Sequence, residues 1–577
     1  MPEFHNRKNI LIWLLCIAAF CLLAVSLVAP EFWWGIHWFS FLSSGSKLLF
    51  LILAILPIGV FFFAHEVKKK IAQQFSRKVV KRMLLGIIVV SGIGMFYNFP
   101  IVMDMYGNAH QYVGFRDQVF TEFPEKPINE LLKFELVPSG GRKTVLHSYT
   151  ILSYLTGLKY KTIFKGAGLV FGGLFLCLWI WFVCQQVSKP SWQIILSFIG
   201  VFAPFTQIFY DHTETYPPCF LLAFVWLVLL LFQIKKRSTV LLWLLVPLYL
   251  LSVKLHPVTL LLGPALLLAL IHHYFKRIAQ WIFTWRGLVI AGLMPIFMLG
   301  AVLYFFILKD YNDPRFLEGV TDAERVFLPL ISPEPPLDRY NIQSLNHLFD
   351  YLNMMLHWSI PAWLVLISGI IIVGAKRLFE SVEMKLMLLT TFLFAAFFFV
   401  FNPLLSMPID WNVFSFPSIP LLILAVMVVR QIQQNETIRK IIPITLSLQI
   451  LLIPMFLVNA NKSMLSKRLE RVGVHVFKTY YLHCTRILFN AWNMTDNIED
   501  YISRKRLVEN ELYPYALIGN DPKYANLLMD DGFYYLRYGN DTKLAIAFLN
   551  EALKYNPSSK EINELLEEAA TKQKLGN

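Results

Sequence analysis

The stretch Tyr97-Asn98-Phe99-Pro100-Ile101-Val102-Met103-Asp104-Met105-Tyr106-Gly107-Asn108-Ala109-His110 decides how the chain is read. It ends a long apolar run and sets a carboxylate directly after it. About fifty-five loop residues follow before the next apolar run. A carboxylate at the lip of a bilayer is costly unless it is solvated or paired. Asp104 is therefore either a solvated residue closing a helix or part of a functional site.

Outward from this stretch, the composition sets the class. Of 577 residues, 56% are hydrophobic and only 16% are charged, which excludes an ordinary soluble domain. Aromatics at 15% suit belts at the membrane interfaces. The net charge of +14 sits in short clusters between apolar runs, which points to topology-setting charge and away from a nucleic-acid surface. Five of the six Cys lie inside apolar runs, so no disulfide framework or metal set is indicated. The first apolar run, 10–30, is too long for a signal-peptide core and reads as a retained span.

Runs near the bilayer length of about 20 residues predict thirteen spans. They centre on 10–30, 48–65, 83–103, 164–184, 191–209, 217–234, 239–253, 257–272, 287–308, 358–375, 385–402, 413–429 and 441–458. The seventh and eighth are short and separated by Lys254-Leu255-His256-Pro257. With the amino end inside, every inside loop is positive or mixed-positive, from Lys68-Lys69-Lys70 to Lys235-Lys236-Arg237 and Arg439-Lys440. This alternation places the carboxyl end outside.

The outside segments are then 104–163, 210–216, 309–357 and 402–411, besides a small first turn. Ile331-Ser332-Pro333-Glu334-Pro335-Pro336 cannot form regular helix. The chain divides into two leading spans with a basic loop (1–82), a membrane module (83–458) and a tail (459–577). Within the tail, Ser463 to Trp492 has helical periodicity and a basic, aromatic character that suits a membrane surface. Residues 525–558, with Gly532, Ala545, Ala552 and Pro557, resemble a tetratricopeptide repeat. A plain helical hairpin is the alternative.

Polar residues cluster at the outside ends of the spans: Asp104, Asn108 and His110; Arg142, Lys143 and His147; Asp211, His212 and Glu214; Lys254 and His256; Asp410. The inside loops hold almost only Lys and Arg, so any site opens on the non-cytoplasmic side. No phosphate-binding glycine loop is present, and no His/Cys/Asp spacing matches a zinc site. Each candidate also has a structural alternative: Arg142-Lys143 as a solvated turn, His147 and His256 as helix-end residues, and Asp410-Trp411 as an interfacial anchor.

This layout resembles the GT-C class of integral-membrane glycosyltransferases. The similarity covers about 83–460. Asp104 with Tyr106-Gly107-Asn108-Ala109 is similar to the acidic opening of that class's first outside loop. Asp211-His212-Thr213-Glu214-Thr215-Tyr216-Pro217 is similar to its second acidic turn, and Lys254-Leu255-His256-Pro257 to its polar break. The resemblance implies an all-α polytopic fold and inverting sugar transfer from a polyprenyl-phosphate carrier. The acceptor would be a protein, a lipid or a glycan, met on the outer face.

Asp104 would then be the general base, its pKa raised by burial. Glu214 would hold acceptor or sugar hydroxyls. Arg142, Lys143, His147, His212, Lys254, His256 and Asp410 would bind the donor phosphate or substrate. No metal ligand set is assigned. A divalent cation is the one cofactor left open, and Asn108, where a second carboxylate is expected, argues against it. Partners implied are the bilayer, the lipid-linked donor, the acceptor, and a protein held by the repeat-like tail; no nucleic acid is expected. The membrane expected is the bacterial inner membrane, with the endoplasmic reticulum second. A transporter or lipid flippase and a non-enzymatic scaffold are the competing readings.

Overall fold

The computed structural model describes the chain apart from residues 1, 64–72, 75–77, 102–139, 211–214, 276–277, 279, 281, 285, 288, 290–326, 332–338, 404–405, 480–486, 489–490, 493, 495–502, 509, 513–521, 538–541 and 576–577. Among the described residues the protein is all-α, with one isolated bridge between Phe327 and Phe401. Ten helices are long and apolar enough to cross a membrane, and two shorter apolar helices, Pro190–Val201 and Thr239–Leu255, coincide with the fifth and seventh expected spans. The ninth, 287–308, lies almost wholly outside the described residues.

Two compact units are present. The first comprises Met1–Leu328, Leu348–Pro403 and Met407–Asn461, so the two leading helices belong to the same unit as the rest of the bundle. In chain order its main helices are α1 (Pro2–Val28), α2 (Ser44–Phe63), α3 (Lys78–Asn98), α4 (Gly140–Thr156), α5 (Tyr160–Gln186), α6 (Pro190–Val201), α7 (Tyr216–Lys236), α8 (Thr239–Leu255), α9 (Gly263–Tyr274), α10 (Leu345–Val373), α11 (Val382–Val400), α12 (Ser418–Ile432) and α13 (Glu436–Leu452). The stretch Trp411–Ile432 is buried throughout and forms the centre. Lipid tails are as apolar as these side chains, so close packing holds such a centre together better than exclusion of water does.

Local sequence explains where the helices stop. Arg237 takes a left-handed conformation (φ 49°) after α7, and Ser238 then caps α8 by accepting the Leu241 N–H at 3.3 Å. Pro190 starts α6, whose last residue is Val201, and Pro204 opens a 3-10 turn, Pro204–Phe209. The backbone freed by this break is satisfied internally, as a membrane interior demands. Gln449 Nε2 donates to the Phe202 carbonyl at 2.6 Å, and Thr206 Oγ1 donates to Ala203 at 2.7 Å. Helix α10 is interrupted at Ser359, whose hydroxyl accepts the Ala362 N–H at 3.2 Å ahead of Pro361.

The two ends of the bundle differ. At one, His256 meets Tyr216, Tyr210 stacks on Phe456, and Ile101 N–H bonds the Tyr210 carbonyl. At the other, Gln433 Oε1 accepts the N–H groups of Ser188 and Lys189, and Arg430 donates to Gln186.

Two segments expected as outside loop are helical instead. Residues 140–156 form α4, and 345–357 form the first part of α10. Neither has the continuous apolar run that marks a span. Helix α10 is amphipathic in the inverted sense: Asp350, Asn353 and His357 are buried while Leu348, Phe349 and Leu352 are exposed.

The second unit comprises Pro329–His347, Leu404–Ser406 and Lys462–Asn577. Its helix α14 (Lys462–Thr479) is not the surface helix expected from its periodicity. Leu465, Leu469, Val472 and Val476 are buried, and so are Arg468 and His475 around the rest of the helix. Glu470 accepts from Arg504 at 2.8 Å and from the Trp492 indole at 3.2 Å. Further on, α15 (Pro522–Arg537), α16 (Thr542–Tyr555) and α17 (Lys560–Leu575) pack in sequence. Gly532 lets Leu549 lie against its backbone, and Tyr535 stacks on Phe548 at 5.6 Å.

Candidate functional site

The break between α8 and α9 falls where Pro257 denies the helix a donor. His256 is extended there and buried. Its Nδ1 accepts the Val258 N–H at 3.2 Å, and its carbonyl accepts the Thr259 hydroxyl at 2.8 Å. A ring nitrogen that accepts carries no proton, so in this contact Nδ1 is the unprotonated ring nitrogen. His256 is thus a helix-end cap. Its ring lies 5.2 Å from Tyr216 and 5.8 Å from Phe416. Lys254, two residues earlier, is exposed.

Tyr216 opens α7, with Pro217 and Pro218 fixing the first turn. Thr215 before it is fully buried, and its Oγ1 has no hydrogen-bond partner among the described residues. One turn on, Cys219 Sγ donates to the Thr215 carbonyl at 3.4 Å.

Helix α4 covers this corner. Val145, Leu146 and Tyr149 pack with Tyr160, Ile163 and Phe164 of α5, and Leu255 at the end of α8 joins them. The opposite face of α4 exposes Ile151, Leu152, Tyr154 and Leu155. Tyr149 is buried, its ring edge-on to Phe164 at 4.9 Å, and its hydroxyl has no hydrogen-bond partner among the described residues. Burial pushes its phenol well above the ordinary range, and the nearby Cys219 and Tyr160 push it further in the same direction. His147, on the same helix, is half-buried.

Asp410 leads the short helix Trp411–Phe414. Its carbonyl accepts the N–H groups of Val413 and Phe414, and its side chain makes no capping bond. Trp411 is buried, with its ring 5.6 Å from His357, which removes the interfacial-anchor reading. This turn continues to Phe416, so it reaches both His357 and His256.

A second polar group was missed by the sequence reading. Trp34 Nε1 donates to Asp350 Oδ1 at 2.8 Å, and Gly35 N–H donates to Asn353 Oδ1 at 3.2 Å. Asn353 Nδ2 donates back to the Phe32 carbonyl at 2.7 Å. Trp38 lies 6.3 Å from His357. The signal available in the sequence was the i, i+3, i+7 spacing of Asp350, Asn353 and His357 between apolar residues.

Asp104, His212 and Glu214 lie outside the described residues, as do the side chains of Arg142 and Lys143 on the first turn of α4. Among the described residues no group of three or more His, Cys, Asp or Glu side chains could hold a metal ion. The chain matches no protein-family model, no curated protein and no solved structure.

Proposed function

We propose that this protein is a membrane glycosyltransferase of the GT-C type. It would transfer a sugar from a polyprenyl-phosphate carrier to a protein, lipid or glycan acceptor. The observation that carries this reading is the packing of α4 on α5 and on Leu255 at the end of α8, beside His256 and its ring neighbour Tyr216, at the end of the bundle opposite Lys189 and Arg430. A lipid-borne substrate needs a polar site of this kind at one membrane face, walled by apolar side chains.

In this reading the bundle has thirteen spans, 287–308 supplying the ninth. The His256 end faces away from the cytoplasm, in the bacterial inner membrane. Asp104 takes the acceptor proton, and Glu214 holds hydroxyls. Arg142, Lys143, His147 and His256 meet the departing phosphate, whose charge needs donors more than an acid. The helices α15 and α16 form one tetratricopeptide-like hairpin that holds an acceptor or partner protein. The test is Asp104→Asn in membranes supplied with a polyprenyl-phosphate-linked sugar. The variant is expected to express and fold but to lose transfer. Wild-type transfer by the variant removes Asp104 from the mechanism.

A transporter is the second reading, favoured by one feature. The α6 break is a discontinuous helix lined by buried amides, and Asn459 Nδ2 donates to Gln207 Oε1 at 2.7 Å beside it. Such breaks form substrate sites in secondary transporters. Passage of labelled substrate across sealed vesicles without a covalent product would select this reading.

A further inference from the structure

Helix α4 faces the wrong way round for a helix in water. Its inward side carries Thr150 and Ser153 among Val145, Leu146 and Tyr149. Both hydroxyls are answered by nearby backbone, Thr150 by the Leu146 carbonyl at 2.8 Å and Ser153 by that of Leu158 at 2.6 Å. The outward side presents Ile151, Leu152, Tyr154 and Leu155, and Leu155 is 74% exposed. Large apolar side chains gathered on a surface mark contact with a membrane or with a partner.

Length and neighbours decide between the two. With 17 residues α4 reaches about 25 Å, short of the roughly 30 Å core of a bilayer. It therefore does not cross the membrane. It packs on α5 and α8. Both expose long apolar residues of their own, Val170 and Leu174 on α5 and Leu250 and Leu251 on α8. The outward side of α4 thus continues the apolar surface of the bundle, as the face of a helix lying at the membrane boundary does.

The charge beside it has one sign. Gly157, with φ 67°, turns the chain back after α4, and Tyr160 Oη ties the start of α5 to the Leu146 carbonyl at 3.0 Å. Lys159 before α5 and Lys161 in its first turn are exposed. Lys165 stands over the ring of Tyr97 at 5.3 Å. Between 136 and 210 the sequence has no Asp or Glu. A Lys stem lies along apolar surface and lifts its ammonium toward a headgroup, and exposed tyrosines such as Tyr97 and Tyr154 suit the same level. The orientation signal accounts for the basic residues at the opposite end of the bundle and gives no reason for these.

We propose that α4 and the start of α5 form a docking surface for anionic phospholipids at the His256 end of the bundle. Ile151, Leu152 and Leu155 lie among the acyl chains, and Lys159 and Lys161 pair with headgroups of net negative charge. The occupant is the lipid of the bilayer itself, so the proposal holds whether the protein transfers a sugar or carries a solute.

The experiment places a photo-crosslinking phenylalanine analogue at Leu155 of the full chain, in nanodiscs of phosphatidylcholine mixed with phosphatidylglycerol. Mass spectrometry identifies the adducts. Phospholipid adducts are expected, with phosphatidylglycerol enriched about fivefold over its share of the nanodisc. The same analogue at Leu152 should give the same products. K159Q combined with K161Q alters exposed positions only, so the melting temperature should hold. In that variant lipid adducts should persist and the enrichment should vanish.

Adducts to a second copy of the chain in place of lipid, or no adducts at either position, overturn the docking surface. Phosphatidylglycerol captured only in proportion to its share, or enriched equally without the two Lys, overturns the assignment to anionic headgroups.

Discussion

The indole of Trp34 donates to the carboxylate of Asp350 at 2.8 Å, across 316 positions of sequence. Both side chains are about 99% buried. The bond ties the turn after α1 to the polar stripe of α10, where Asn353 holds the adjacent backbone from both sides.

Removing the acceptor should therefore cost more than removing the charge. Asp350→Ala leaves a buried indole N–H unanswered, a loss of about 1–3 kcal/mol. Asp350→Asn keeps an oxygen in place and should lose less. Thermal unfolding in detergent micelles measures both. Equal melting of Asp350→Ala and wild type would show that the bond adds nothing.

Gly35 makes the closest approach in the same contact. A Cβ there would collide with the Asn353 carbonyl, and backbone cannot step aside as a flexible side chain can. Gly35→Ala should separate the turn from α10 and lower stability by about 1–3 kcal/mol, the usual cost of overpacking. Increased protease cleavage between α1 and α2 would report it, and unchanged cleavage would refute it.

In the second unit, burial lifts the Asp530 carboxyl from 3.8 to about 6; Lys505 opposes the shift and Asp531 adds to it. The folded chain thus binds this proton more tightly than the unfolded chain does. The burial penalty is absent below about pH 4, grows as pH rises, and is complete above about pH 6. Asp530→Asn should flatten this dependence and stabilise the tail at pH 7 by about 2–3 kcal/mol. Hydrogen exchange of the α15 amides in the full chain, at pH 4 and pH 7, checks it. Identical pH dependence in variant and wild type would remove Asp530 as its source.

Lys505 pairs with Asp531 at 2.7 Å, with only 2% of its side chain exposed. Lys505→Met strands the carboxylate and should cost about 3–5 kcal/mol. The double substitution Lys505→Met with Asp531→Leu should recover most of that loss. A double variant no better than the single one would mean that the pair is not coupled.

The spans were legible because a run of apolar residues is a signal that needs no partner. So was the break at His256, where Pro257 forbids continuation whatever surrounds it. Helix α4 was not legible: it opens with Gly140-Gly141, and its inward face mixes Val145 and Tyr149 with Thr150 and Ser153. The polar stripe of α10 was hidden for the opposite reason. Its inward residues look like loop residues, and only a bilayer outside makes that inversion favourable. Trp34 and Gly35 belonged to a turn dismissed as small, since nothing local announces a partner more than three hundred positions away. A hydroxyl unanswered among the described residues, such as that of Tyr149, is a property of a neighbourhood and cannot be read along a chain.

The docking of the α1–α2 turn bears on how the protein is made. Its seat on α10 and the partner of α2, the helix α13, are translated long after the hairpin itself. The hairpin must wait, with Trp34 unmatched, until Asp350, 316 positions later, has been threaded. Biogenesis, more than the finished bundle, is where a lesion at Gly35 would be felt first.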